Sequence, residues 1–171
     1  MQSHNINYDV KDIRNESTIP LADFFWRDIL PTNAVRADKL VTYNMQLRYK
    51  VMGKTNKGNE IVIADNLVTT KNNVVELKPA HLGLASDEWL VEFSLHFGQV
   101  PAGFTMLEMA KVFVDVIPRT MGHLPNGMMF VNKVDVGGKI PGSNEWILNN
   151  ATSGSTVYNP NIPRKIPQSG W

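Results

Sequence analysis

Val41-Thr42-Tyr43-Asn44-Met45-Gln46-Leu47-Arg48-Tyr49-Lys50-Val51 decides the fold class. Apolar residues occupy the odd positions and polar ones the even positions, in strict period two. Successive side chains of a strand point to opposite faces, so this run predicts one long antiparallel strand with a single buried face. Gly53–Asn59 is a turn cluster, and Glu60–Leu67 is apolar enough to return as the partner strand of a hairpin. Downstream, Trp89, Val91, Phe93, Leu95 and Phe97 alternate with Leu90, Glu92, Ser94 and His96 as a second long strand. Lys111–Ile117 is β-branched and stopped by Pro118, and Val74–Leu77 reads as a short edge strand. Met128–Val136 and Glu145–Leu148 complete the set, separated by Gly137-Gly138 and Pro141-Gly142, while Phe104–Ala110 suits either a helical turn or a strand. About seven strands between turn clusters, with no strand–helix alternation, predict an all-β antiparallel sandwich or jelly-roll barrel.

One short helix is expected as well. Pro20 precedes Leu21-Ala22-Asp23-Phe24-Phe25-Trp26-Arg27-Asp28-Ile29-Leu30, with Thr18 as a candidate cap and Pro31 as the stop. Apolar residues at 21, 24, 25 and 29 have helical spacing. Phe24, Phe25 and Trp26 would then plug the core or anchor a neighbouring subunit. Residues 1–19 lack a sustained period and read as an N-terminal arm. Residues 20–150 form the β-sandwich domain. Residues 151–171 form a second arm, whose Pro160, Pro163 and Pro167 forbid a central strand or helix. Its Ile162, Ile166 and Trp171 need a surface to bury against, on this chain or on a neighbour.

Composition narrows the function. The chain has 171 residues, 43% hydrophobic and 19% charged, which suits one globular domain. Seventeen basic residues against 16 acidic give a net charge of +1 and no bulk pull toward nucleic acid or membranes. The 17 asparagines suit a turn-rich protein. Cysteine is absent, which excludes disulfide frameworks, thiolate catalysis and cysteine–zinc sites. No apolar run approaches the roughly 18–20 residues of a membrane span, and Met1–Asn7 lacks the apolar core of a signal peptide.

Catalytic and metal constellations are not evident. There is no Gly-x-Ser-x-Gly elbow, no His-Glu-x-x-His and no phosphate-binding glycine loop. His4, His81, His96 and His123 are far apart in sequence, so no catalytic residue, metal or cofactor is assigned. His96 reads as a hydrogen-bonded histidine on the polar face of its strand. Asp87 and Glu88 read as turn and edge charges; Glu92 and Asp115 are the candidate acids if the fold were an enzyme, and Asp115 reads first as an ion-paired or backbone-bonded carboxylate near Arg119. Arg48 and Lys50 lie on the opposite strand face from Tyr43 and Tyr49, which does not make a base-stacking platform. Asn15-Glu16-Ser17 and Asn150-Ala151-Thr152 match the glycosylation pattern by chance.

Val112-Phe113-Val114-Asp115-Val116-Ile117-Pro118-Arg119-Thr120-Met121-Gly122 resembles a stretch in the major spike proteins of microviruses, the small icosahedral single-stranded DNA phages. There a β-branched strand runs through Asp into Pro-Arg-Thr-x-Gly and a loop, and then into an apolar strand, for which Met128-Met129-Phe130-Val131 stands here. The resemblance implies a jelly roll that forms pentamers at capsid vertices. The expected function is therefore a non-enzymatic virion structural protein, made in the host cytoplasm. It would be a homo-oligomer, pentamer or trimer, on the capsid surface as a vertex spike or decoration protein, contacting other capsid proteins and a host surface glycan. Phe24, Phe25, Trp26, Pro118, Arg119, Ile162, Ile166 and Trp171 are the expected assembly residues. The alternative is a small ligand- or carbohydrate-binding β-barrel with Trp89 or Trp146 stacked on a sugar; a β-sandwich hydrolase or lyase lacks the clustered acids it needs.

Overall fold

The computed structural model describes residues 4–10, 13–31, 35–106, 109–116 and 129–156. They form twelve strands in chain order: β1 (His4–Val10), β2 (Ile13–Arg14), β3 (Leu21–Ile29), β4 (Val35–Thr42), β5 (Tyr49–Thr55), β6 (Glu60–Leu67), β7 (Asn73–Glu76), β8 (Leu90–Val100), β9 (Thr105–Met106), β10 (Ala110–Val116), β11 (Met129–Lys139) and β12 (Trp146–Thr156). A single 3₁₀ turn at Pro79–Leu82 is the only helical element among the described residues, and none of their helices is long and apolar enough to cross a membrane.

Every pairing is antiparallel. A four-stranded sheet has the order β1-β10-β4-β7, a six-stranded sheet the order β12-β11-β3-β8-β5-β6, and β2 and β9 form a small ribbon. The chain changes sheet between β3 and β4, β4 and β5, β6 and β7, β7 and β8, β8 and β10, and β10 and β11; β5–β6 and β11–β12 are hairpins within the six-stranded sheet.

The inner faces of both sheets share one core. Trp26, Phe24, Phe93 and Leu95 come from the six-stranded sheet, and Tyr8, Leu40, Val112 and Val114 from the four-stranded one. Trp26 and Phe93 pack with ring centroids 5.9 Å apart, and Tyr49 and Phe97 with centroids 6.4 Å apart. Polar links also cross the core. The Tyr8 hydroxyl (β1) is bonded to the fully buried Asp28 (β3), and the Thr42 (β4) and Tyr49 (β5) hydroxyls share a 2.7 Å hydrogen bond. Burial raises the Asp28 carboxyl from 3.8 to about 7, because a charge there forfeits its hydration; the Tyr8 hydrogen bond offsets this in part.

The structure departs from the sequence expectations at five places. Leu21–Ile29 is strand, not helix. The register on β8 slips between Leu21 and Phe24 and again before Phe25, with Asp23 at φ +50°. This bulge shifts the phase of the strand, so buried residues at 21, 24 and 25 mimic helical spacing. Val41–Val51 is not one strand: it ends β4 at Thr42, turns at Asn44 (φ +45°) and re-enters as β5 in the other sheet. His4–Val10, expected within an arm, pairs along its whole length with β10 and buries Tyr8 and Val10, while Ala151–Thr156, expected in the second arm, extends β12.

Gly137-Gly138, expected as a separator, lies inside β11; the turn comes at Pro141–Ser143. A Cβ on Gly138 would lie 2.8 Å from the Leu21 Cβ, so only glycine lets β11 run past the β3 bulge.

Candidate assembly surfaces

A two-sheet fold leaves edge strands, and an edge with unpaired backbone and apolar side chains is a template for another chain. Among the described residues β6 pairs only with β5, and β7 only with β4, so both sheets end on the same flank. That flank exposes Val62 at 57% and Val74 at 61%. Between the two strands runs a shallow groove lined by Ile63, Leu67, Val75 and Leu82 together with the exposed Val74 and the polar Asn73, Glu76 and His81.

The six-stranded sheet ends on the opposite flank at β12, which among the described residues pairs only with β11. It exposes Trp146 at 48% and Leu148 at 51%. Trp146 meets Phe25 edge-on, with centroids 6.0 Å apart, and Phe25 also lies 6.2 Å from the His96 ring. The Arg27 guanidinium covers the Phe25 ring at 4.8 Å and is held by Asp135 (2.9 Å) and Glu92 (3.6 Å). His96 shares a 2.8 Å hydrogen bond with Ser94. Its pKa is pushed down, first by burial and then by the nearby charges of Lys50 and Arg27.

The remaining edge, β1, differs from both. Its outward residues Asn5, Asn7 and Asp9 are polar, with Asn5 donating to Asp115 (3.0 Å) and Asp9 paired to Lys111 (3.6 Å). An exposed apolar edge is therefore a property of two particular flanks of this fold.

The expected assembly residues fall into two groups. Phe24 (1% exposed), Phe25 (6%) and Trp26 (2%) are covered by their own chain. Phe24 and Trp26 lie in the core, while Phe25 is on the outer face beneath Trp146 and Arg27, next to the β12 flank. Pro118, Arg119, Ile162, Ile166 and Trp171 lie outside the described residues, as does His123. Sequence reading missed Val62 and Val74, whose exposure follows from strand order, but it did single out Trp146. Trp89, the other aromatic considered for a sugar, lies under the Arg36 guanidinium at 4.0 Å.

The carboxylates weighed for catalysis have structural partners. Glu88 accepts from Thr55 (2.6 Å) and Asn59 (2.7 Å), bonds that hold it below the ordinary glutamate range and tie the β5–β6 turn to the approach to β8. Asp87 pairs with Lys57 at 2.8 Å, Glu92 with Arg27, and Asp115 with Asn5. Among the described residues no group of three histidines or acids could hold a metal. Asn15, in the apparent glycosylation motif, is 2% exposed and donates to the Ile19 and Pro101 carbonyls (3.0 and 3.1 Å). No family model, curated protein or solved structure matches the chain.

Proposed function

We propose that this chain is a non-enzymatic structural protein of a bacteriophage virion, a jelly roll that assembles into a ring on the capsid surface as a vertex spike or decoration protein. The observation that carries this reading is the interleaving of the strands. The four-stranded sheet β1-β10-β4-β7 faces the run β3-β8-β5-β6, and every link within these eight strands except the β5–β6 hairpin passes from one sheet to the other. That is the order expected of an eight-stranded jelly roll, a fold frequent in capsid proteins, with β11–β12 added as an extra hairpin. Two unlike apolar flanks support a ring, because a cyclic assembly joins one patch of a subunit to a different patch of the next. The resemblance of Val112–Gly122 to the microvirus spike adds a pentamer as the favoured count, with other capsid proteins and a host surface glycan as further partners.

The test is the absolute mass of the purified chain by light scattering on a sizing column, across a concentration series. A stable pentamer supports the vertex spike, and a trimer supports a decoration protein at a three-fold. A strict monomer at high concentration counts against self-assembly. One observation favours a second reading, a carbohydrate-binding module. Trp146 stands half exposed against Phe25, which separates it from the His96 side of an outer-face depression lined by Arg27, Glu92, Ser94 and His96 among others. Trp26, Phe24, Phe93 and Tyr49 fill the space between the sheets, so a sugar would bind on this outer face. A saccharide that shifts the Trp146 fluorescence of a monomeric protein would favour it.

A further inference from the structure

The β6–β7 groove is a channel of mixed apolar and polar lining between two strand edges that no described residue pairs, on the flank opposite β12. It is the form of site that accepts an extended segment: backbone edges to pair with and alternate pockets for side chains. The chain itself carries a segment of matching chemistry. Residues 157–171 follow directly from β12 and include Asn161-Ile162-Pro163-Arg164-Lys165-Ile166-Pro167. Two isoleucines bracket a basic pair, and prolines make a regular helix or a central strand impossible. The groove offers apolar side chains for the isoleucines and, for the basic pair, the half-exposed Glu76, whose carboxylate lies 4.0 Å from the His81 ring, with Asp65 exposed on β6. Lys78, the nearest cation beyond Glu76 in sequence, is already held by Asp38 at 3.2 Å.

Geometry favours a neighbour as the donor. The segment starts on the β12 flank, five strand spacings, or about 24 Å, across the sheet from β6. Extended, its fifteen residues reach about 50 Å. In a head-to-tail ring the β12 flank of one copy lies beside the groove of the next, so the short path leads to the neighbour and the long one back over the segment's own sheet.

Resting on the ring reading above, we infer that residues 157–171 of one copy occupy the β6–β7 groove of the next, with Ile162 and Ile166 against its apolar side chains and Arg164 and Lys165 toward Glu76. The interlock joins each subunit to its neighbour by main-chain pairing as well as by apolar contact.

The chain lacks cysteine, so single-cysteine variants report cleanly. Val74→Cys and Ile166→Cys chains are co-expressed with different tags, purified through both tags and treated with a short bis-maleimide. Ile166→Cys with Ala102→Cys, an exposed turn position remote from the groove in sequence, is the control. Light scattering on the native chain, purified without selection for two tags, gives the mass. The expected result is an oligomer whose 74–166 covalent dimer exceeds the control at least several-fold. An oligomer with no excess over the control overturns the groove assignment and leaves the ring reading intact. If light scattering shows a monomer, one chain carrying both Val74→Cys and Ile166→Cys decides: a cross-link within that chain overturns the exchange between copies, and no cross-link overturns both readings.

Discussion

Trp26 and Trp146 stand on opposite faces of the same sheet, and the protein uses them differently. Trp26 is 2% exposed and packs against Phe93 between the sheets. Trp146 is 48% exposed on an edge strand, resting edge-on against Phe25. Both rings offer large apolar surfaces, but only the first is covered by its own chain. Interior substitutions should therefore cost folding, whereas flank substitutions should cost association and leave folding nearly untouched.

Trp26→Ala should produce the largest change in stability. It opens a cavity between two sheets whose strands cannot easily collapse, and the expected loss is about 3–5 kcal/mol, read from the urea midpoint at neutral pH. A loss under about 1 kcal/mol would mean that the interior is no better packed than the flank.

Asp28 gives a pH-dependent effect of comparable size. Its folded pKa is raised, so its contribution to stability is fully present below the unfolded value of 3.8 and is lost as pH rises through about 7. The difference between the two ends is at most roughly 4 kcal/mol, at 1.36 kcal/mol per pKa unit. Asp28→Asn keeps an acceptor for the Tyr8 hydroxyl but removes the charge. It should flatten this slope and make the variant more stable than the native chain above pH 7. Urea titrations at pH 5 and pH 8 check it; an unchanged slope would sink the assignment.

Arg36→Ala removes the guanidinium from the Trp89 ring and should cost about 0.5–1 kcal/mol. The same denaturation series measures it. Val74→Asp and Trp146→Asp should change the urea midpoint least, since both side chains are about half exposed or more.

The two halves of this contrast were not equally legible in the sequence. Alternation at 89–97 and the Gly53–Asn59 cluster located β8 and the β5–β6 hairpin, because period two records directly which face is buried. Alternation could not reveal the sheet change at Asn44. At the end of β4 the residues facing the core are Leu40 and Thr42, at even positions, whereas Met45, Tyr49 and Val51 face it at odd ones, so the inward phase flips across Asn44 while the apolar residues go on alternating through it. The Asp23 bulge hid β3 by adding residues between two inward positions, and β1 offered only Ile6, Tyr8 and Val10 among polar neighbours. The flanks were harder still. Val62 and Val74 look like ordinary strand residues until the order of strands places them at edges. Trp146 stood out only as an aromatic able to stack on a sugar ring.

The most direct test of unlike flanks is a mixing experiment. Val74→Asp spoils the β6–β7 flank and leaves the β12 flank intact; Trp146→Asp does the reverse. Each variant alone should run as a monomer by light scattering. An equimolar mixture should form one new species of twice the monomer mass, because each partner supplies the flank the other lacks, and it should grow no further. If the mixture stays monomeric while the native chain forms an oligomer, the two flanks do not meet between copies, and the head-to-tail account is wrong.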